Sequence, residues 1–546
     1  MDSEAAWTCH ACAVRPPILA TDTSSSARAP RGTGRLSRAL TRLLALACTL
    51  APLSSPAQLT TTQSPLSTII PHRYLIAFHN GTIPGQTHAY VHIAGTRILR
   101  TYSAASIALV QADPESDDDT TLNALRAQPN VVTAVHDRIL TAHTLTVRPA
   151  VSVTVGSPPG GNPYDTYYTS TPQSWPVVQA GGYGANVLGG PAHGPWDSTR
   201  GAGVRIAILD SGVDENHPDI APNLALNLSE VDQTPNTGLP SPCDTGGPED
   251  QQGHGTWVAS LAAAASGPGT GLTIGVAPAA SILNIKVIER LPDPSSTSAD
   301  VATQCKTGQA SGLLSWVLQG IEDAVTQRAD VINLSLGTLV DLNTGEGAGL
   351  QVLFNQATYA ATQAGAVVIA SAGNDGVELS NPRYIELPAQ SRGVLAVIAS
   401  TNPACAENLN IGTTCTPGPV ALPYYSNFGA ALNAIAASGG SYPEGLSTGS
   451  SGWILGACSS GIPNTTDGLP SDSAHSLGCF NLGHAPYVQA MGTSASAALV
   501  SGAAALVRAT HPNWTVDQLT GALRSTATHS ASLPAAPLLN VTTLVP

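Results

Sequence analysis

The chain has 546 residues, 42% hydrophobic and 11% charged, with a formal net charge of −14. That length and apolar content support one large domain and a smaller one. The charge excludes nucleic acid as the natural partner, because no basic patch would offset phosphate repulsion, and the only lysines are Lys286 and Lys306.

Near the start, Arg35, Arg38 and Arg42 precede the apolar run Leu43 to Leu50, and the small residues Ser54, Ser55, Pro56 and Ala57 follow. Basic, apolar, then small is the pattern of a secretory leader, expected over 1–57 and cut near Ala57. The run is too short to span a bilayer, so no stable membrane anchor is expected. Residues 1–34 make the leader long, as an extended leader or as a start of translation placed too early. Cys9 and Cys12 form a C-x-x-C without a second pair, so no metal or redox role is assigned to them. Ala45-Leu46-Ala47 ahead of Cys48 is a poor match to a lipid-anchor signal. Leader removal leaves Cys243, Cys305, Cys405, Cys415, Cys458 and Cys479. An even number in an exported chain implies disulfides. The expected pairs are Cys243–Cys305, Cys405–Cys415 and Cys458–Cys479, each pinning a loop rich in Gly, Pro and Ser.

Residues 72–139 read as a small α+β unit. Tyr74 to Phe78 alternates as a strand, Arg97–Ser103 and Ser106–Ala112 are extended, Asp118–Ala127 has helical spacing, and Val131–Val135 is a last strand. The order of elements resembles the inhibitory propeptide of subtilisin-like peptidases. Residues 140–162 are a linker rich in Pro, Gly, Thr and Val, where processing is expected. From 163 to 546 strands and helices alternate. Val204 to Leu209 is a continuous apolar strand, as in a parallel sheet buried on both faces, and it ends in Asp210. Gly253-His254-Gly255-Thr256 opens an Ala-rich helix. Strands follow at Ser281–Val287, Val331–Leu336 and Ala366–Ala370, with helices at Leu313–Ala329 and Gln351–Ala364. This alternation predicts an α/β fold with a mostly parallel central sheet flanked by helices. Gly492-Thr493-Ser494 then leads a long uncharged helix, buried on nearly all sides, and His511–Leu523 is a terminal helix with no binding domain appended.

A serine hydroxyl needs a neutral imidazole to take its proton, a carboxylate to hold that imidazole, and donors for the developing oxyanion. Asp210, His254 and Ser494 each stand at a strand or helix end, where a sheet gathers residues distant in sequence. With Ile208-Leu209-Asp210-Ser211-Gly212, Gly253-His254-Gly255-Thr256, Asn333-Leu334-Ser335-Leu336-Gly337, Ser371-Ala372-Gly373-Asn374 and Gly492-Thr493-Ser494 in this order, the chain resembles the subtilisin-like serine peptidases, or subtilases, from about Gly201 to Leu523. The resemblance implies a subtilisin-like fold preceded by a ferredoxin-like propeptide domain. It implies a secreted serine endopeptidase, made as a self-processed precursor that its own propeptide inhibits, with proteins or peptides as substrates. By motif, Ser494 is the nucleophile, His254 the acid/base, Asp210 its orienter, and Asn374 an oxyanion donor with the Ser494 N–H. Ser335, Leu336 and Gly337 form one edge for an extended substrate, and Ser311 to Leu314, including Gly312 and Leu314, the other. Ala372 and Gly373 line the pocket for the residue before the scissile bond, whose small walls suggest a large apolar side chain. The chemistry requires no cofactor, and structural calcium remains an option.

Several features read otherwise. Asp214 and Asp219 are expected to be solvated loop carboxylates, with calcium ligation the alternative, and His217 a turn residue. Gly445-Leu446-Ser447-Thr448-Gly449 fits the hydrolase elbow but lies in a Gly/Ser-rich insertion, and is rejected. Two departures from the family stand beside the triad: Ala495-Ser496-Ala497 after the serine, and Trp257 where a second histidine is usual. They support a second reading, a binding protein on an impaired subtilase fold. A third, an esterase, is opposed by Asn374, the edge motif and the propeptide. Insertions at 231–252, 289–308 and 440–485 are expected around the cleft.

Overall fold

The computed structural model describes residues 69–79, 83, 95–141, 147–149, 175–184, 193–231, 241–267, 271–293, 295–401, 420–441, 454–461, 477–533 and 536–545. These belong to one compact unit, Gln63–Pro546, and the expected leader lies outside the described residues.

The chain first builds an antiparallel sheet with a helix on it. β1 (Ile69–Phe78), β2 (Arg97–Tyr102), β3 (Ile107–Gln111), α1 (Asp118–Arg126) and β4 (Val131–Thr141) line up as β2-β3-β1-β4. α1 begins where the Asp117 carboxylate accepts the Thr120 N–H at 2.8 Å, an N-cap. Strand alternation then assigns faces. Tyr74, Ile76 and Phe78 pack on Leu122 and Leu125 of α1, whereas Leu75 and Ala77 enter the core of the following domain. β1 thus serves two cores.

β5 (Val147–Pro149) and the short α2 (Trp175–Gln179) lead into the α/β domain. There follow β6 (Arg205–Asp210), β7 (Leu224–Ser229), α3 (His254–Ala263), β8 (Ser281–Lys286), β9 (Glu289–Arg290), α4 (Val301–Lys306), β10 (Ala310–Leu313), α5 (Leu314–Thr326), β11 (Val331–Leu334) and β12 (Thr338–Asp341). The chain continues through α6 (Gly345–Gln363), β13 (Val367–Ser371), β14 (Tyr384–Leu387), β15 (Val394–Ser400), β16 (Ala434–Ser438), β17 (Ile454–Ala457), β18 (Tyr487–Ala490), α7 (Thr493–Thr510) and α8 (Val516–Thr526). Seven strands form a parallel sheet in the order β16-β15-β13-β11-β6-β8-β7. Ile206, Ile208 and Ile369 face α3, α7 and α8, and Ala207, Leu209 and Val368 face α5 and α6. Helices on both faces explain why these strands read as unbroken apolar runs.

Some element limits differ from the sequence reading. The terminal helix starts at Val516, not His511, because Thr515 and Gln518 form a reciprocal capping box. α6 starts six residues before the expected Gln351, at Gly345, capped by the Thr344 side chain; glycines in its first turn concealed it. α7 runs through Gly502, where an added Cβ would lie 2.6 Å from the Ala262 carbonyl oxygen, so α7 and α3 pack backbone to backbone.

The expected linker from residue 140 starts inside β4. Its last residues pair antiparallel with β10, Ile139 opposite Leu313, Leu140 opposite Gly312 and Thr141 opposite Ser311. β5 lies within the same expected linker and pairs with β18. Both pairings are long-range, and local composition carries no signal for them. The junction is also polar. Asp137 accepts the Ser315 N–H at 3.0 Å and the Ser315 hydroxyl at 2.6 Å, capping α5 from the N-terminal sheet, and Arg73 holds the same carboxylate at 2.8 Å. Glu346, in the first turn of α6, is met by Arg126, Arg138 and His136.

Candidate active site

Three neighbouring strands of the parallel sheet, β13, β11 and β6, deliver the site at their C-terminal ends. Asp210 closes β6 and accepts the N–H of Ser211 at 2.7 Å. His254 is the first residue of α3, and its Nδ1 lies 2.7 Å from Asp210 Oδ1, with both side chains buried. An ionised carboxylate only accepts, so Nδ1 carries the proton and Nε2 presents its lone pair. Among the described residues Nε2 has no hydrogen-bond partner.

Ser494 lies in the first turn of α7 and is tied to the segment after β11. Its Oγ donates to the Ser335 carbonyl at 3.3 Å, and Ser335 Oγ donates to the Ser494 carbonyl at 3.1 Å. Asn333 Nδ2 in turn donates to Ser335 Oγ at 2.9 Å. α3 and α7 both start at the C-terminal edge of the sheet and pack side by side. The imidazole and hydroxyl therefore stand at matching helix ends beside the adjacent strands β6 and β11. After β13 comes Asn374. Its Oδ1 accepts the Thr493 N–H and hydroxyl, each at 2.9 Å, which fixes the amide plane. A Cβ on Gly492, whose φ is +153°, would lie 3.3 Å from Asn374 Nδ2, so glycine keeps that face open.

Of the remaining expected residues, Gly312 lies in β10 opposite Leu140; Ser335 and Leu336 are buried and lead through Gly337 into β12; and Ala372 and Gly373 join β13 to Asn374. Leu314, the first residue of α5, is fully buried in the core. Trp257 donates its indole N–H to the Ile454 carbonyl at 3.2 Å and packs near His254, which explains a large residue there. Ser496 is buried, and a Cβ on Gly439 would approach its Oγ to 2.8 Å; the small residues after Ser494 admit that backbone.

Sequence reasoning missed the supports of His254. Asp250 is fully buried and accepts from Ser211 Oγ, from the N–H groups of Gln252, Gly253 and Thr256, and from Thr256 Oγ1, at 2.6–3.0 Å. It shapes the loop that presents His254; an Asp four residues before a helix-opening His was the available signal. The Cys458–Cys479 disulfide lies against this loop. A Cβ on Gly253, at φ +102°, would meet Cys458 Sγ, Cys479 Cα and Phe480 N, each at 2.8 Å, and Phe480 stands edge-on to the imidazole. Cys243–Cys305 also forms, joining the first two insertions, and Cys405 and Cys415 lie outside the described residues, as does the rejected Gly445–Gly449 elbow. Arg290, fully buried, links these parts by donating to the carbonyls of Gln251, Cys305, Gly478 and Phe480.

Asp214 and Asp219 are buried rather than solvated. Asp219 accepts from Gly271 N, Leu272 N, Thr273 N and Oγ1, and Tyr487 OH, and Asp214 from Asn216 N and Ser460 N and Oγ. Such donor-filled carboxylates act as loop clamps. His217 closes its own turn by accepting the Asp219 N–H on Nδ1 at 3.2 Å, and its Nε2 reaches the distant Pro486 carbonyl at 2.9 Å. No cluster of three or more His, Cys, Asp or Glu among the described residues could hold a metal ion.

Behind the site lies a second group of acids around the buried Lys286, which donates to Asp244 at 2.7 Å. Burial, then the charge of Asp244, pushes the Glu289 carboxyl up to about 8. Burial, then Asp214 and Asp250, pushes Glu249 up to about 9. The folded state thus keeps protons that the unfolded chain sheds near its ordinary value of 4.5. Stability is therefore expected to fall as pH rises from about 5 toward 9, by up to about 1.4 kcal/mol per pH unit per group. Urea midpoints across that range test this, and Glu289→Gln should flatten the slope; a level parent curve would contradict it.

The subtilase family pattern matches residues 201–539. The chain is 34% identical to thermitase from Thermoactinomyces vulgaris over 245 residues, 45% of this chain and 70% of that protein. It is 30% identical to subtilisin NAT from Bacillus subtilis subsp. natto over 349 residues, 64% of this chain and 66% of that protein. The crystal structure of the epidermin leader peptide processing serine protease EpiP from Staphylococcus aureus superposes with a TM-score of 0.56 at 20% identity, covering 87% of this chain and 97% of that one, a likeness of fold. The matched pattern spans well over half the chain, with Asp210, His254, Asn374 and Ser494 inside it, and this chain therefore belongs to the subtilase family of serine endopeptidases.

Proposed function

We propose that Ser494 attacks the scissile carbonyl while His254 Nε2 takes its proton, and that Asp210 holds the imidazole tautomer and stabilises the imidazolium. The oxyanion is received by Asn374 Nδ2 and the Ser494 N–H. His254 then returns the proton to the departing amine, and water, activated by the same imidazole, releases the acyl group from Ser494. The single observation that carries this reading is the 2.7 Å bond between His254 and Asp210 at the end of β6, beside the segment that holds Ser494. Every group in the reaction comes from the chain, so it draws on no cofactor.

Substrate backbone adds as a strand to β10 on one side and to Ser335-Leu336-Gly337 on the other. The N-terminal unit uses the β10 edge first: β4 occupies it as a substrate would, which supports its role as an intramolecular inhibitor. Beyond Thr141 the chain reappears as β5 on β18, which ends four residues before Ser494. The bond cut in self-processing therefore falls between Thr141 and Val147. The leader over 1–57 supports export of the precursor. The changed residues Ala495 and Ser496 remove no group that this chemistry uses, which disfavours an impaired binding protein.

Mass spectrometry of the secreted protein tests this reading. The mature N-terminus is expected within 142–147, and a sulfonyl fluoride should label Ser494 and stop casein hydrolysis. An active protein that begins elsewhere, or that works with Ser494 unlabelled, would refute it.

A further inference from the structure

We propose that Glu386 is the specificity-determining residue of this cleft and selects a cationic side chain, arginine or lysine, in the residue whose carbonyl is attacked. The inference rests on the reading of Ser494 and Asn374 given above. With the acyl carbon at Ser494 and its oxygen at Asn374, that residue's side chain must extend along the wall next to Asn374, which is Ala372 and Gly373. Gly373 has φ +96°, and a Cβ there would lie 2.3 Å from Asn427 Nδ2 and 3.2 Å from Glu386 Oε2. The carboxylate thus lies against the bare backbone of the wall, and Glu386 is fully buried.

Its position is fixed by strand pairing. β14 pairs with β12, Glu386 opposite Leu339, and β12 continues from Ser335-Leu336-Gly337. The Glu386 N–H donates to Gln390 Oε1 at 2.8 Å, and its carbonyl accepts the Gln390 N–H at 2.8 Å. Asp375, next to Asn374, adds an exposed carboxylate within 3.3 Å of the same Asn427 Nδ2. Two carboxylates therefore flank the wall beside the oxyanion donor, Glu386 against Gly373 and Asp375 next to Asn374.

An apolar side chain seated against a buried carboxylate returns no bond to it. A guanidinium or ammonium offers it a charge-assisted hydrogen bond, and arginine can pair through two N–H groups. Sites built on a buried polar partner discriminate far more steeply than apolar pockets do. The apolar expectation drawn from Ala372 and Gly373 considered two wall residues only, because Glu386 is distant from both in sequence.

The test uses the secreted, processed enzyme and peptide anilides that differ only in the residue before the bond: Arg, Lys, Gln, Met and Phe. Arg and Lys are expected to exceed Met and Phe by about a hundredfold in kcat/KM. Glu386→Gln should lower the Arg-to-Met ratio by about the same factor, with Glu386→Asp between. If Glu386→Gln does not accumulate, sites cut by the parent enzyme in a denatured protein, read by mass spectrometry, serve instead, and should follow Arg or Lys. A parent preference for Met or Phe, or an unchanged ratio in the variant, overturns the assignment of Glu386 while leaving Ser494 in place. Cleavage that persists in Ser494→Ala overturns the underlying reading.

Discussion

A Ser494→Ala chain is expected to hydrolyse casein about 10⁶-fold more slowly than the parent and to accumulate at precursor mass, the magnitude being that of the corresponding loss in subtilisin, a member of the same family. The physical reason is that the hydroxyl is the only atom in the site that becomes covalently bound; the oxyanion donors and the bound substrate edge survive the change. Ser494→Ala should therefore keep β4 seated on β10 as an uncut precursor. The test measures casein turnover and precursor mass together. Turnover within tenfold of the parent, or normal maturation, would remove Ser494 from the mechanism.

The second large effect falls on a residue that touches no substrate. Asp250→Ala strands the donors of Ser211, Gln252, Gly253 and Thr256 in a buried loop. Orphaned buried donors cost about 1–3 kcal/mol each before relaxation, so a loss of at least about 3 kcal/mol is expected in urea unfolding. Because the same loop sets where His254 begins α3, kcat should fall about 10²-fold, the usual penalty for misplacing a catalytic group by about 1 Å. KM should change little, since β10 and Ser335 lie on other elements. A variant of reduced stability with parental kcat would make Asp250 a purely structural residue.

Much of this architecture is written locally. Val204 to Leu209 is legible as a buried parallel strand because both its faces meet helices. As candidate site residues, Asp210, His254, Asn374 and Ser494 are legible because each lies at or just past a strand end or in the first turn of a helix. What local reading misses depends on distant contacts. β4 extends to Thr141 only because β10 lies beside it, and β5 forms only because β18 has an open edge. Asp250 has a local sign in its spacing to His254, but the Ser211 hydroxyl that completes its set of donors is distant in sequence. Arg290 sits in an insertion and would pass for a surface charge, yet it is fully buried and bound to backbone carbonyls. Asp214 and Asp219 read as solvent-facing for the same reason: a short polar loop does not disclose what will fold over it.

The sulfur bridge beside Gly253 clamps the turn that opens α3. A side chain at Gly253 would run into Cys458 and Cys479, so the loop before His254 and the segment that carries Phe480 are held as one piece, and reducing Cys458–Cys479 is expected to loosen that seat.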